Sequence, residues 1–216
     1  MGGLSLTPRQ LTGLEPPPEL EVDTVTGRAA LPEVMEAFLK LRKDARKSGW
    51  NLVLVSGYRS FLSQKNLWNS LYGDQGQESV EEKVKAQLKY TSLPGLSRHH
   101  WGSELDISEK SLRGQLTADS EDMTPRVLAY YRWMEENAPR YGFCRVYRGD
   151  SGIITDEHWH WSYYPVAVKL QKQFQALGDL GAILPLDGIK GEEYLKSHLA
   201  QIRLWQAQSV DPHCAP

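Results

Sequence analysis

Ser97-Arg98-His99-His100-Trp101-Gly102-Ser103-Glu104-Leu105-Asp106 sets two adjacent imidazoles and two alternating carboxylates within ten residues. Glu104 and Asp106 are two apart, so on a strand both side chains face one way and Leu105 faces the other. His99 and His100 are neighbours, so one of them points inward with the carboxylates. A second stretch, Asp156-Glu157-His158-Trp159-His160-Trp161, again mixes imidazoles with carboxylates. Together the two stretches hold four of the chain's six histidines. A lone histidine is commonly a structural residue, but two clusters of this kind are hard to explain as packing.

Outward from these stretches, helices and short strands intermix without a βαβ rhythm, which predicts an α+β fold. After Pro32, Val34, Phe38, Leu41 and Ala45 recur at helical spacing, and Gly49 is placed to end the helix. Asn51–Val55 is an apolar run ending at Ser56-Gly57 and reads as a buried strand. Ser60 is placed to cap a helix through Leu71 that carries Phe61, Leu67 and Trp68. Residues 72–92 read as a polar insertion, part helix and part loop. Thr124-Pro125 opens a helix with Val127, Tyr131, Met134 and Ala138 on its buried stripe. Phe143–Tyr147 and Trp159–Tyr163 read as strands, followed by helices over about 166–177 and 190–207. The last of these puts Leu195, Leu199, Ile202 and Trp205 on one side. Residues 1–30, with Pro16-Pro17-Pro18, read as an irregular arm, 31–180 as the domain and 181–216 as a helical extension packed on it.

The 216 residues suit one compact domain and are 40% hydrophobic and 24% charged. The net charge of −2 and the lack of long like-charge blocks argue against a nucleic-acid arm or a membrane-surface patch. No run approaches the roughly 20 apolar residues of a membrane span. Cys144 and Cys214 lie far apart with no metal spacing. They fit unpaired thiols in a reducing compartment better than a disulfide framework, with a single bridge as the alternative. The opening Met1-Gly-Gly-Leu-Ser-Leu has neither a basic n-region nor an apolar h-region. With Met1 as the natural start, the expectation is a cytoplasmic protein, or a periplasmic one if a signal peptide has been removed.

Two histidines and one carboxylate are the donor set of many hydrolytic zinc sites, whose fourth position is left to water. The residues alone leave the choice of ligands open. On a regular strand His158 and His160 would both reach one metal. Asp106 fits either a ligand or a hydrogen-bond partner of an imidazole, and Glu157 either a ligand or a base.

Three ordered motifs narrow this choice. Ser56-Gly57-Tyr58-Arg59-Ser60, Ser97 to Asp106 and Glu157-His158-Trp159-His160 together cover roughly residues 50–165. In type and order they resemble the VanY-type zinc carboxypeptidases, which trim D-alanine from peptidoglycan stem peptides. The resemblance implies a small antiparallel sheet flanked by helices, the hedgehog/DD-peptidase-like fold. It further implies that His99, Asp106 and His160 hold Zn2+ and that Glu157 is the catalytic base. Arg59 would receive the substrate's terminal carboxylate or the developing oxyanion, and Tyr58, Gln64 and Ser97 match substrate-contacting positions. The chain departs from the pattern twice: His158 replaces a common Pro, and Glu104 replaces a small Ala. His158 could therefore compete for the metal. Glu104, on the same strand face as Asp106, either approaches the site or, as the favoured reading, pairs with an arginine beside it.

The implied partner is a peptidoglycan-derived peptide or muropeptide. A cytoplasmic enzyme would meet recycled tetrapeptides, so the compartment expectation favours an L,D-carboxypeptidase. The alternatives are a D,D-carboxypeptidase or D,D-dipeptidase on D-Ala-D-Ala peptides and, in another class, an inactive zinc-binding recognition module. The intact Glu157 argues against the last, because a recognition module has no use for a base.

Overall fold

The computed structural model of the chain describes residues 4–73, 78–113, 123–149, 151 and 153–215. Its centre is a four-stranded antiparallel sheet of β3 (Leu52–Ser56), β4 (Glu104–Glu109), β6 (His160–Tyr163) and β5 (Phe143–Arg145), in that spatial order. The apolar run of Asn51–Val55 thus becomes an edge strand, and the two histidine-rich stretches feed the two central strands. Packing around the sheet are α2 (Pro32–Lys47), α3 (Phe61–Leu71), α5 (Pro125–Asn137), α6 (Tyr164–Gln175) and α7 (Glu192–Gln208). The α+β reading with a small antiparallel sheet holds.

The local signals act where the sequence places them. Ser60 Oγ accepts the Ser63 amide at 3.1 Å and starts α3, and Thr124 Oγ1 accepts the Val127 amide at 3.3 Å and starts α5. Gly49, at φ +82°, follows the last turn of α2 in the left-handed region that a side chain would resist. Within the polar stretch over 72–92, α4 (Val80–Leu88) carries a capping box in which Ser79 and Glu82 satisfy each other's amides; residues 74–77 lie outside the described residues. The strand read over Phe143–Tyr147 stops at Arg145, and the one read from Trp159 begins at His160.

Val34, Phe38 and Leu41 of α2, Leu105 and Ile107 of β4 and Leu195, Leu199 and Ile202 of α7 share one core with the wholly buried Trp68, Trp101 and Trp161. Trp68 also donates its indole N–H to Lys190 O at 3.1 Å, tying α3 to the segment before α7. Residues 4–31 carry a short helix, α1 (Pro8–Leu11), and a two-stranded ladder of β1 (Glu21–Val22) with β2 (Ala29–Ala30). Leu11 and Ala30 are buried, and Trp101 donates its indole N–H to Leu11 O at 3.1 Å. The amides of Tyr58 and Phe61 donate to Ala29 O and Gly13 O at 2.6 and 2.7 Å, so this segment holds the loop between β3 and α3.

The cysteines correct an expectation. Cys144 and Cys214 form a disulfide, with Cα atoms 5.8 Å apart across 70 residues of sequence. A long separation hides such a pairing, because only the folded chain brings β5 beside the turn at Pro212–Cys214. The bridge anchors a small second core of Val146, Tyr147, Ile154, Val210 and Cys214. Closing so long a loop restricts the unfolded chain, so replacing both cysteines by serine should lower the unfolding free energy by about 2–4 kcal/mol in a urea titration. Thiol titration of the native, unreduced protein should find no free sulfhydryl; two reactive thiols would contradict the pairing.

Candidate metal centre

The β4–β6 ladder pairs Asp106 with His160 and Glu104 with Ser162. Directly opposed residues share a face, so the carboxylate and the imidazole stand side by side above the sheet. A register shift between Leu54 and Ser56 turns the end of β3 so that Ser56 meets Asp106. The third candidate ligand comes from a 3₁₀ turn, Arg98–Trp101, that leads into β4 and closes at Gly102 with φ +72°.

That turn is fastened to the loop after β3. The Arg59 amide donates to His99 O at 3.1 Å, and His99 Nδ1 lies 2.8 Å from Gly57 O. A carbonyl only accepts, so Nδ1 carries the proton and Nε2 keeps its lone pair. Gly57 is required here, since a Cβ would sit 2.3 Å from Ala29 O. His100 faces the other way: Nδ1–H donates to Arg59 O at 2.7 Å, while Nε2 accepts the Gly95 amide at 3.0 Å. Both ring nitrogens are used and burial pushes its pKa down to about 3, so His100 is a neutral brace.

The ligating atoms of His99, Asp106 and His160 all lie within 4.8 Å of one another. His99 Nε2, 3.4 Å from Asp106 Oδ2, and Asp106 Oδ1 are buried without a hydrogen-bond partner. His160 Nδ1 is 3.5 Å from Asp106 Oδ1 and 3.2 Å from Glu157 Oε2, and its Nε2 is 3.1 Å from Glu104 Oε2. Three carboxylates thus crowd one imidazole. Burial alone would disfavour its charge, but hydrogen bonds to Glu104 and Glu157 and the charge of Asp106 hold His160 up to about 10. Burial likewise opposes charge on Asp106, yet the two imidazoles and Arg59 hold it well below the usual carboxylate range. The site therefore attracts positive charge, and orphaned nitrogen and oxygen donors converge there. This donor set fits a divalent cation that accepts mixed N/O ligands.

The other candidate residues divide. Arg59, Ser97 and Glu157 line a cleft of about 290 Å³ beside the three candidate ligands. Burial raises the pKa of Glu157, a shift suited to a general base. Gln64 departs from expectation: it is wholly buried, so the substrate contact implied for it is indirect. Its Oε1 accepts Arg59 Nη1–H at 2.8 Å while Nε2 donates to Thr91 Oγ1 and Ser92 O, so it fixes the guanidinium from behind. Tyr58 is also absent from the cleft wall. His158 falls in a turn before β6, which voids the strand argument for a shared metal; it stacks on Tyr131 at 4.5 Å and faces Arg145 and Asp156. Glu104 pairs with Arg98, as expected. Tyr147 and Trp159 also line the cleft, and the Tyr147 and His160 rings meet edge to face with their centres 5.0 Å apart. No spacing in the sequence marks Tyr147, because its position depends on the disulfide-anchored second core.

This geometry separates the histidines by function. His99→Ala and His160→Ala should each abolish stoichiometric metal retention after dialysis, whereas His158→Ala should still retain one ion per chain. Loss of the metal in His158→Ala with retention in His99→Ala would overturn the assignment.

The chain is similar to known proteins in sequence and fold. The family model described as VanY, D-alanyl-D-alanine carboxypeptidase, matches residues 28–166. A D-alanyl-D-alanine carboxypeptidase of Enterococcus faecalis is 30% identical over 139 residues, 62% of this chain and 47% of that protein. A second of the same description from Enterococcus faecium is 28% identical over 149 residues, 66% of this chain and 41% of that one. The chain thus spans about half the length of these curated relatives. Among solved structures, the vancomycin-resistance D,D-pentapeptidase VanY in complex with Zn(II) superposes with a TM-score of 0.53 at 27% identity, over 82% of this chain and 89% of that one. VanYB in complex with D-alanine-D-alanine gives 0.54 at 25% identity, over 83% and 88%. The L,D-carboxypeptidase LdcB, at 22% identity and a TM-score of 0.55 over 92% and 81%, shares the fold. With the family model covering the sheet, the clasped turn and all three candidate ligands, the chain belongs to the VanY D-alanyl-D-alanine carboxypeptidase family.

Proposed function

We propose that the chain is a zinc metallocarboxypeptidase that hydrolyses the bond before the C-terminal D-alanine of peptidoglycan stem peptides. The observation that carries this reading is the convergence of His99 Nε2, His160 Nδ1 and the Asp106 carboxylate at a cleft that also presents Glu157 and Arg59. A zinc ion bound there supplies Lewis acidity and lowers the pKa of water toward about 7. Glu157, 3.2 Å from His160 Nδ1 and with its proton affinity raised by burial, is placed to take a proton from the attacking water. It then returns that proton to the amine that leaves as the carbon–nitrogen bond breaks. Arg59, held by Gln64 and 3.4 Å from Asp106, offers a guanidinium to the substrate's terminal carboxylate or to the oxyanion that forms on attack.

The expected compartment changes with the cysteines. The cytoplasmic expectation rested partly on unpaired thiols, and the Cys144–Cys214 bridge removes that support. Disulfides persist in oxidising surroundings, so we infer a site of action outside the cytoplasm. Alkylation of thiols in intact native cells should leave both cysteines unlabelled; labelling of both would return the protein to a reducing compartment. The L,D preference loses its premise with the cytoplasm, since outside the membrane both tetrapeptide and pentapeptide stems are substrates at hand. The family match and the relatives of 25–30% identity are D-Ala-D-Ala proteins, which supports D,D cleavage of pentapeptides as the leading reading.

Incubation with tetrapeptide and pentapeptide at equal concentration should release D-alanine faster from the pentapeptide; the reverse order would defeat the D,D assignment. A pentapeptide amidated at its C-terminus should be a poor substrate, and rapid cleavage of it would indicate an endopeptidase. Glu157→Gln should retain zinc while losing about 10²–10⁴-fold in rate, the usual contribution of a general base. Because burial raises the Glu157 pKa, kcat/KM should fall as pH drops through a value above the ordinary 4.5. An acid limb at or below 4.5, or full activity in Glu157→Gln, would remove Glu157 from that role.

A further inference from the structure

Glu104 stands where the family pattern has a small alanine, and its two oxygens have separate surroundings. Oε1 accepts from Ser103 Oγ at 3.0 Å and Ser162 Oγ at 2.8 Å and pairs with Arg98 Nη2 at 3.2 Å. Arg98 is itself fixed: Nη1 donates to Gln171 Oε1 at 2.7 Å, Nη2 also donates to Ser162 Oγ at 3.0 Å, and the guanidinium lies 4.7 Å from the centre of the Trp101 ring. Oε2 has a different partner, His160 Nε2 at 3.1 Å. Glu104 and Arg98 are 0% and 5% exposed, so water does not compete with these contacts.

We infer that Glu104 is a positioning residue for the metal centre, fixing the ring of His160 so that Nε2 carries the proton and Nδ1 presents its lone pair to the cation. An ionised carboxylate only accepts, so the nitrogen facing it must donate. The other ring nitrogen, Nδ1, faces the Asp106 and Glu157 carboxylates; a cation seated among His99, Asp106 and His160 would take the place of its proton, whereas Nε2 keeps its own on Glu104. Rotating the imidazole by half a turn would break the contact with Oε2, so the same bond selects both the tautomer and the ring orientation. His99 receives the equivalent support from Gly57 O. The pairing register supplies the reach: Glu104 lies opposite Ser162, two residues along from the Asp106–His160 pair and on the same face. If Glu104 served only to neutralise Arg98, the saturated Oε1 would suffice and the direction of Oε2 would be immaterial.

This inference rests on the zinc reading, and the test separates the two. Zinc affinity is measured by chelator competition on refilled apo-protein, with folding followed by circular dichroism. In Glu104→Gln, the amide oxygen stays with Arg98 and the serines, which turns the NH2 group toward His160 Nε2 and favours the wrong tautomer. Zinc affinity should fall about 10–100-fold, the usual cost of losing a ligand's hydrogen-bond partner. Ser162→Ala removes one donor to Oε1 and spares Oε2, so its affinity should stay within about threefold of the parent's on the same scale. Should Glu104→Gln fail to fold with Arg98 uncompensated, the double variant Arg98→Met/Glu104→Ala removes both charges and should still bind at least about 10-fold more weakly. Parent-like affinity in the folded Glu104 variant, or an equal loss in Ser162→Ala, would overturn the inference. A parent protein that does not bind zinc at all would overturn the proposed function instead.

Discussion

Pairing Asp106 with His160 across two antiparallel strands is the constraint on which the rest of the site depends. Side chains alternate along a strand, so a slip of one residue would send Asp106 to the far side of the sheet and Leu105 into the cleft. The core enforces the register. Leu105 and Ile107 are wholly buried among the helices on one face, while Glu104 and Asp106 occupy the other. The hydrophobic pattern thereby places Asp106 and His160 within reach of one another.

The third ligand arrives by a different route. His99 lies on a tight turn held by main-chain hydrogen bonds to the Gly57–Arg59 loop, and that loop is tied in turn to Ala29 and Gly13 of the N-terminal segment. Each of these contacts uses a backbone group whose position the surrounding packing already determines. His100 belongs to the same clasp, which accounts for two adjacent histidines with opposite duties: one offers a free nitrogen to the site and the other spends both nitrogens on the backbone. Arg59 is oriented by the same loop and by the buried amide of Gln64, so the guanidinium of the cleft and the candidate ligand His99 share one support.

Much of this was legible before any coordinates. Ser60, Thr124 and Gly49 act through hydrogen bonds and backbone angles that involve only near neighbours, so the residues themselves announce the helix ends. The three motifs point to the candidate ligands because their order survives in the linear chain, and the fold brings His99, Asp106 and His160 together. What escaped depends on long-range geometry. Cys144 and Cys214 meet only after β5 and the C-terminal turn are in place, and Tyr147 reaches the cleft through the core that this bridge anchors. The alternation that leaves His158 open as a rival ligand does not apply, because the strand starts two residues later, at His160. Gln64 was assigned to substrate by its position in a motif, but burial reveals that it acts on Arg59. For Glu104, alternation offers an approach to the site and residue type an arginine partner; the structure shows both, one through each carboxylate oxygen.

Particular atoms rather than residue types define the metal centre, and a crystal of the zinc-loaded protein measured at the zinc absorption edge identifies them directly. A single anomalous peak is expected between β4, β6 and the His99 turn, bonded by His99 Nε2, His160 Nδ1 and a carboxylate oxygen of Asp106, with His158 apart from it. A peak bonded through His160 Nε2, or one that recruits His158 in place of His99 or His160, would contradict it.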